Sequence, residues 1–210
     1  MFGNFVTASR RNPSKAMNRP VSEEHELIRQ VLKGDQPAFQ RLVERYQDYV
    51  FTIVLRILPS REEAEEVAMD VFLKVYQSLR SFEFKSKFST WLYTIAYRMA
   101  IDRVRTKQFP IQTLDNDERF LQVTDREAKG PEARVASQDL QNALRNALER
   151  LKPADAGLVS LYYLQEKSVQ EVSEVTGLSV SNVKVKLYRL RSELRVILEQ
   201  QLRNELSDLL

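Results

Sequence analysis

The strongest pattern in the chain is a run of apolar residues with the spacing of one helix face. It lies between Asp35 and Pro59, and its members recur at steps of three and four residues: Phe39, Leu42, Val43, Tyr46, Val50, Ile53, Val54 and Ile57. This period argues against a strand, in which side chains alternate between two faces. Asp35 is a good N-cap, and Pro59 cannot continue a helix. We therefore expect a long helix with one buried face, ending near Leu58.

The rest of the chain favours the same class of structure. Only five glycines and seven prolines interrupt the 210 residues, and residues that favour helix are plentiful. Hydrophobic residues make up 43% of the chain, a share that is sufficient for a core. No segment shows the alternation of a strand. We expect an all-α fold of two small helical domains joined by a flexible linker, the second containing a helix-turn-helix.

The absence of cysteine narrows the possible chemistry. It excludes disulfides, thiolate metal sites and a cysteine nucleophile, and it fits a reducing cytoplasm. The single histidine, His25, cannot form a histidine-rich metal site alone, and we expect it on the solvated surface near a helix start. The most apolar run, residues 49–58, carries Arg56 and is too short to cross a membrane. We expect no catalytic residue, no metal and no cofactor.

Changes in composition divide the chain into four segments. Residues 1–21 form a basic tail, with four basic residues and no acid in the first twenty, and we expect it to be disordered. Residues 22–107 form the first helical domain and residues 135–206 the second. Residues 108–134 lack a sustained apolar period and carry six acids against four bases, as expected of a linker.

Capping signals place further helix ends in the first domain. Ser60 and Glu63 form an S-x-x-E capping box, which opens a helix to about residue 79. After a short loop, Ser86 or Ser89 is expected to cap the next helix. Ser22 can cap a further helix that runs to about Lys33, so the first domain should contain four helices.

Residues 168–191 have the layout of a helix-turn-helix. Ser168 and Glu171 form another capping box, Gly177 permits a sharp turn, and Ser179 starts the second helix. The polar face of this second helix consists of Ser181, Asn182, Lys184, Lys186, Tyr188, Arg189 and Arg191. Such a helix can lie in a DNA major groove, with its basic residues neutralising phosphates. On this pattern alone, an αα-hairpin with a solvated basic face is the alternative.

Charge is sorted between two helices. Residues 61–70 carry five acids and one base, whereas residues 179–195 carry five bases and one acid. This separation indicates different surfaces for different partners.

Two separate stretches resemble one protein family. Residues 66–107 look like region two of the bacterial sigma-70 family, in its extracytoplasmic-function (ECF) branch, and residues 148–195 resemble region four. The strings DVFLKVY, FSTWLY and AIDRVR carry the resemblance, together with the helix-turn-helix downstream. The resemblance implies a protein that is not an enzyme. It implies reversible binding to core RNA polymerase, direction of that enzyme to promoters in a stress or envelope response, and help in opening the DNA.

The resemblance also implies protein partners. The helix at residues 61–79 is expected to dock on the coiled coil of the largest polymerase subunit through Glu66, Met69 and Asp70, and the polymerase flap is a second expected contact. Met69 stands where the family commonly has glutamine. Many members are held inactive by an anti-sigma factor, so such a partner is a candidate. A cytoplasmic location follows, with tethering at the membrane only through that partner.

The segment 81–107 is expected to meet melted −10 promoter DNA. It combines aromatic rings with six basic residues against two acids, and stacking on a ring contributes roughly 1–3 kcal/mol per captured base. In the family, the loop matching residues 82–88 holds a flipped base. Here that loop reads FEFKSKF where the family often has FRGxSxF, so that Phe84 replaces a glycine and puts the usual base identity in doubt.

The candidates for −10 contact divide by face. They are Phe84, Lys85, Ser86, Lys87, Trp91, Tyr93, Thr94, Tyr97, Arg98 and Arg105. We expect Trp91 to belong mainly to a core stripe and Tyr93 and Tyr97 to be partly exposed. Thr94, Arg98 and Arg105 share a face suited to phosphate contacts.

The resemblance assigns the polar face of the helix-turn-helix to the −35 element. The sequence SNVKVKLYRLR stands where the family often has GTVKSRLxRAR, so that Ser181 and Asn182 replace Gly-Thr and Val185 replaces a small polar residue. These changes are expected to shift the base preference.

Three other functions would each require further features in the sequence. A helix-turn-helix regulator that does not join polymerase would need a ligand or dimer domain in place of residues 23–107. A nucleic-acid enzyme using the acids of residues 61–70 would need a histidine or a second carboxylate cluster for metal. An adaptor or anti-sigma protein would not be expected to match both DNA-contact regions.

Overall fold

The computed structural model describes residues 21–108, 146–148 and 150–208. Within these ranges the chain forms helices and no strand, as the sequence predicts. The first half contains four α-helices: α1 Val21–Leu32, α2 Gln36–Ile57, α3 Arg61–Ser78 and α4 Phe88–Gln108. The second half contains α5 Pro153–Val159, a π-helical turn Ser160–Leu164, α6 Val169–Thr176 and α7 Val180–Asp208. Residues 1–20 of the predicted basic tail and nearly all of the predicted linker lie outside the described residues.

Helix α2 forms as its periodicity predicts. The Asp35 side chain accepts a hydrogen bond from the Ala38 backbone N–H at 3.1 Å, and the helix ends at Ile57, two residues before Pro59. Its apolar face is buried against α1, α3 and α4. Burial of each large apolar side chain contributes roughly 1.5–3 kcal/mol, so this face holds the first half together.

Of the caps predicted in the first half, the capping box at Ser60 forms only in part, and the cap predicted at Ser86 or Ser89 is wrong. Ser60 accepts from the Glu63 N–H at 3.1 Å, but the Glu63 carboxylate pairs with Lys107 on α4. Helix α4 begins at Phe88, where the Lys87 carbonyl accepts from the Trp91 N–H at 3.2 Å. The cap position is therefore Lys87, and neither Ser86 nor Ser89 caps α4.

The helix-turn-helix follows its predicted signals. Ser168 and Glu171 form both hydrogen bonds of the capping box, at 2.9 and 3.2 Å. Gly177 has φ 74°, the left-handed conformation that only glycine adopts without strain, and it ends α6. Helix α5 is followed by a π-helical turn, in which the Gln165 N–H donates to the Ser160 carbonyl at 3.0 Å.

The two halves pack against each other at a surface that we call the junction. It brings Ile57, Ser89, Tyr93 and Tyr97 of the first half against Gly157, Gln165 and Lys167 of the second. A Cβ atom at Gly157 would lie 2.9 Å from the Ile57 side chain and 3.0 Å from Tyr97, so only a glycine allows this close approach. The junction is therefore a tightly packed surface.

A buried lysine lies in the junction. The Lys167 ammonium donates to the Ser89 hydroxyl at 3.0 Å and lies 5.1 Å from the centroid of the Tyr93 ring. Burial lowers the pKa of Lys167, and the nearby Glu171 carboxylate opposes this shift. The hydroxyl and the ring together compensate part of the cost of burying the charge.

Candidate functional site

Residues 82–87, which we call the aromatic loop, alternate between inward rings and outward charges. Phe82 is buried and Phe84 is half-buried, whereas Glu83, Lys85 and Lys87 are exposed. The rings pack on the first half, and the charged side chains face solvent. The loop therefore presents cations rather than rings on its outer surface.

Phe84 has an unusual backbone conformation. Its φ is 57°, the left-handed region in which the family's usual glycine would be unstrained. The ring is turned inward: its centroid lies 4.8 Å from that of Phe82 and 4.9 Å from that of His25 in an edge-to-face contact. The Arg29 guanidinium carbon lies 5.8 Å from the same ring centroid. His25 is thus half-buried and in ring contact, and its expected place on the solvated surface is wrong because α1 packs beside the loop.

The basic residues of the aromatic loop border a polar cavity of about 590 Å³. Its lining consists of Lys85, Ser86, Lys87, Thr90, Ser168, Glu171 and Glu174. Lys85 pairs with Glu83 at 2.5 Å, and Lys87 pairs with Glu171 of α6 at 3.0 Å. The second half thus places an acidic helix end against the outer face of the loop.

Thr90 is a polar residue that sequence reasoning missed. It is only 3% exposed, and its hydroxyl oxygen has no hydrogen-bond partner within the described parts of the chain. A buried hydroxyl is normally paired, so an unpaired one at a cavity wall is a candidate ligand contact. The sequence feature that could have identified Thr90 is its position three residues after Lys87, in the first turn of α4.

The other candidates on α4 separate into core and surface. Trp91 is half-buried and packs on Phe82 and Phe88 with ring centroids 5.5 and 5.8 Å away, which confirms its place in the core stripe. The Thr94 hydroxyl donates to the Thr90 carbonyl at 2.8 Å. Arg98 and Arg105 are exposed on the outer surface.

Tyr93 and Tyr97 are buried in the junction. They are 0% and 8% exposed, so the predicted partial exposure is wrong. The Tyr93 hydroxyl donates to Gln165 and the Tyr97 hydroxyl to the Ala154 carbonyl, each at 3.5 Å. Burial raises the pKa of Tyr97 to about 12 and also raises that of Tyr93. The second half covers both side chains.

Helix α3 presents an exposed face that mixes acids and apolar side chains. Glu66, Met69 and Asp70 lie on it, as the sequence suggested, and Glu66 pairs with Arg103 of α4 at 2.8 Å. Sequence reasoning missed Leu73 and Tyr76, which are 56% and 45% exposed. Their spacing from Met69, four and seven residues, was the available signal for a second apolar stripe. We call Glu66, Met69, Asp70, Leu73 and Tyr76 the α3 face.

The polar face of α7 is only partly free. Ser181, Asn182, Lys184, Tyr188 and Arg189 are all exposed. Lys186, however, pairs with Asp155 of α5 at 2.6 Å, and the Arg191 guanidinium donates to the Tyr163 hydroxyl at 3.1 Å. The first turns of α7 therefore carry the surface that is open to a large ligand.

A second, apolar groove of about 450 Å³ runs between the π-helical turn and α7. Its walls include Val159, Leu164 and Leu194. Arg191 of the polar face of α7 borders this groove, which is suited to an apolar side chain of a partner.

The described residues contain no group of three or more His, Asp or Glu side chains positioned to hold a metal ion. None of the helices described here is long and apolar enough to cross a bilayer.

Comparison with known proteins matches both halves. The family model of Sigma-70 region 2 matches residues 42–109, and that of Sigma-70, region 4, matches residues 141–194. The ECF RNA polymerase sigma factor SigW of Bacillus subtilis (strain 168) is 36% identical over 174 residues, which cover 80% of this chain and 92% of SigW. The ECF RNA polymerase sigma-E factor of Escherichia coli (strain K12) is 30% identical over 171 residues, covering 79% and 88% of the two chains.

A solved structure shares the fold. It is the sigma factor RpoE in complex with the anti-sigma factor NepR from Bartonella quintana, with a TM-score of 0.58 and 17% identity. The match covers 77% of this chain and 96% of RpoE. Since one region model matches each half, and SigW and sigma-E extend over both, the chain belongs to the ECF branch of the sigma-70 family of RNA polymerase sigma factors.

Proposed function

We propose that this ECF sigma factor binds core RNA polymerase through the α3 face and directs it to promoters through the aromatic loop and α7. The observation that supports the proposal is the α3 face, an exposed face of acids and apolar side chains on a different element from both basic surfaces. A regulator that never joins polymerase would not need it. The chain itself supplies no catalytic group in this account, because the polymerase carries out the chemistry.

The α3 face suits a basic helical partner. Met69, Leu73 and Tyr76 provide an apolar stripe, and the carboxylates of Glu66 and Asp70 flank it. Apolar anchors supply affinity, and the charges guide association with a basic surface. Because Glu66 and Arg103 form an exposed pair, which contributes only about 0–1 kcal/mol, Glu66 can exchange this partner for a basic residue of the coiled coil.

The first turns of α7 are proposed to read the −35 element. Ser181, Asn182 and Lys184 lie at the end of the helix that enters the major groove in helix-turn-helix proteins. Tyr188, which is 73% exposed, and Arg189 extend this surface. Lys186 and Arg191 already have partners in the second half, and we assign them a smaller share of the phosphate contacts.

The outer face of the aromatic loop is proposed to meet the −10 element. Lys85, Ser86 and Lys87 line the same cavity as Thr90, and they offer donors to a single strand. Arg98 and Arg105 extend the positive surface along the DNA backbone. Tyr93 and Tyr97 can reach DNA only when the two halves separate.

Two further contacts belong to the proposal. The apolar groove beside α7 is suited to the polymerase flap, and an anti-sigma factor is a candidate partner because the RpoE relative was solved with one. We infer a cytoplasmic location, where the polymerase lies, with membrane tethering only through such a partner. A role in a stress or envelope response stays a prediction.

The proposed division of surfaces is tested by two charge-changing variants. Leu73→Glu should abolish co-migration with core polymerase on size-exclusion chromatography, because it places a charge in the apolar stripe. Lys184→Glu should leave co-migration unchanged but lower promoter binding by the assembled enzyme by about tenfold, since it replaces a phosphate contact with repulsion. Lys33→Glu, a charge reversal at the exposed end of α1, is the matched control and should change neither. Loss of co-migration in Lys184→Glu would show that the surfaces are wrongly assigned.

A further inference from the structure

The aromatic loop contains a strained residue that the proposed function does not yet explain. Within the described residues, two non-glycine residues have positive φ, Phe84 and Glu166. A bulky residue adopts this conformation only where its surroundings fix it, and such residues concentrate at functional sites. Phe84 directly precedes Lys85, Ser86 and Lys87, and the backbone bends over residues 84–86.

What fixes Phe84 comes largely from α1. The His25 ring packs against the Phe84 ring edge-to-face, with centroids 4.9 Å apart, and the Arg29 guanidinium carbon lies 5.8 Å from the Phe84 centroid. His25 and Arg29 are one helical turn apart, so a single face of α1 contacts the ring. Phe82, at 4.8 Å, packs against Phe84 from within the loop.

These contacts determine the direction of the loop. A ring without partners would allow residue 84 to relax to negative φ, which would move the following residues relative to the cavity. With the ring held, Lys85 and Lys87 remain exposed, and the half-buried Ser86 lines the same cavity as Thr90. The side chains that line the cavity are therefore positioned by a helix that does not itself line it.

We propose that α1 is part of the −10 reading site, with His25 and Arg29 acting as positioning residues that hold Phe84 and thereby set which extruded base the aromatic loop accepts. The ligand is single-stranded DNA with one base out of the stack. Phe84 acts here as an anchor for the loop, not as a free stacking surface, because its ring is already packed against His25 and Phe82. The inference rests on the proposed function of the loop.

The test measures base selectivity with the assembled polymerase. The probe is a fork-shaped DNA with a randomised single-stranded segment, and the DNA bound by each holoenzyme is sequenced. Phe84→Gly, His25→Ala and Arg29→Ala should each lower the enrichment of the preferred base at one position, by at least about fivefold for Phe84→Gly. Lys33→Ala, which removes a positive charge one turn after Arg29, is the matched control and should leave the enrichment unchanged.

Two further variants separate positioning from a general structural effect. His25→Phe keeps an aromatic ring against Phe84 and should retain selectivity. In the Phe84→Gly background, His25→Ala should cause no further loss, because its only effect is exerted through Phe84. The sole tryptophan, Trp91, packs on Phe82 and reports directly on the loop: its quenching by acrylamide should rise in His25→Ala and not in His25→Phe.

The outcomes distinguish this inference from the proposed function. If the unaltered holoenzyme enriches no sequence, the proposed −10 function fails and the inference fails with it. If the unaltered holoenzyme is selective and Phe84→Gly or His25→Ala selects the same bases equally well, the inference is overturned while the proposed function stands. An additional loss from His25→Ala in the Phe84→Gly background would also overturn it, since His25 would then act by another route.

Discussion

At the level of single residues, Phe84 has a backbone conformation that suits glycine, and its ring packs against His25 and Phe82. The sequence identified Phe84 as a departure from the family's loop, but it could not predict the inward ring or its contact with His25. That contact joins residues distant in the chain, and no local pattern encodes it.

Because Phe84 has positive φ, replacing it with glycine and replacing it with alanine should affect the stability of the protein differently. Phe84→Ala loses the ring contacts and keeps the penalty of positive φ, whereas Phe84→Gly loses the contacts and the penalty together. We expect the glycine variant to be more stable than the alanine variant by about 1 kcal/mol, measured by urea denaturation of the free protein. An alanine variant as stable as the glycine variant would show that residue 84 is not strained.

Glu171 gives a prediction about pH. Burial by itself raises its pKa, but hydrogen bonds from Ser168 and the pairing with Lys87 outweigh burial and hold the pKa below its ordinary value of 4.5. A lowered pKa adds stability that is fully present above pH 4.5 and is lost as the pH falls through the lowered value. The difference in free energy of unfolding between the unaltered protein and Glu171→Gln should therefore shrink below pH 4.5. A difference that is constant down to pH 3 would contradict this assignment, and urea titrations from about pH 3 to 7 measure it.

At the scale of elements, sequence patterns were most successful where the cause is local. The apolar period of α2, the cap at Asp35 and the turn at Gly177 depend on residues close in the chain, and all three were confirmed. The predicted cap at Ser86 or Ser89 failed because α4 begins between them, at Phe88, whose ring is buried in the core. Burial of the Phe88 ring therefore determined where α4 begins more strongly than the preference of serine for cap positions did.

The capping box of α6 predicts that the Ser168 hydroxyl contributes to the stability of the protein. Ser168→Ala removes the acceptor for the Glu171 N–H and should destabilise the protein by about 1 kcal/mol in thermal or urea unfolding. Ser192→Ala on the exposed surface of α7 is the matched control and should have little effect. Equal effects of the two substitutions would show that the box does not stabilise α6 as the geometry indicates.

At the scale of the whole molecule, the main feature is the junction between the two halves. It buries Tyr93 and Tyr97 and pairs Lys87 of the aromatic loop with Glu171. The pattern of each half alone could not predict this, because the tyrosines contact Gln165, Ala154 and Gly157 of the second half. The order of helices was therefore predictable from the sequence, whereas the burial of the candidate site was not.

Gly157 allows the junction to be opened without substituting a candidate binding residue. Gly157→Val should push α5 away from Ile57 and Tyr97, because even one added carbon would lie within 2.9 Å of Ile57. We expect a larger radius of gyration in X-ray scattering and faster hydrogen exchange at the backbone around Tyr97. Unchanged scattering and exchange would show that the close approach at Gly157 does not hold the halves together.

Run-off transcription on fragmented genomic DNA shows whether this chain directs core RNA polymerase to specific promoters. Purified chain added to core enzyme should produce transcripts from a defined set of new start sites. Leu73→Glu should eliminate those transcripts by preventing assembly, and Lys184→Glu should reduce them while assembly persists. No new start sites with the unaltered chain, or the same start sites with Leu73→Glu, would contradict the account.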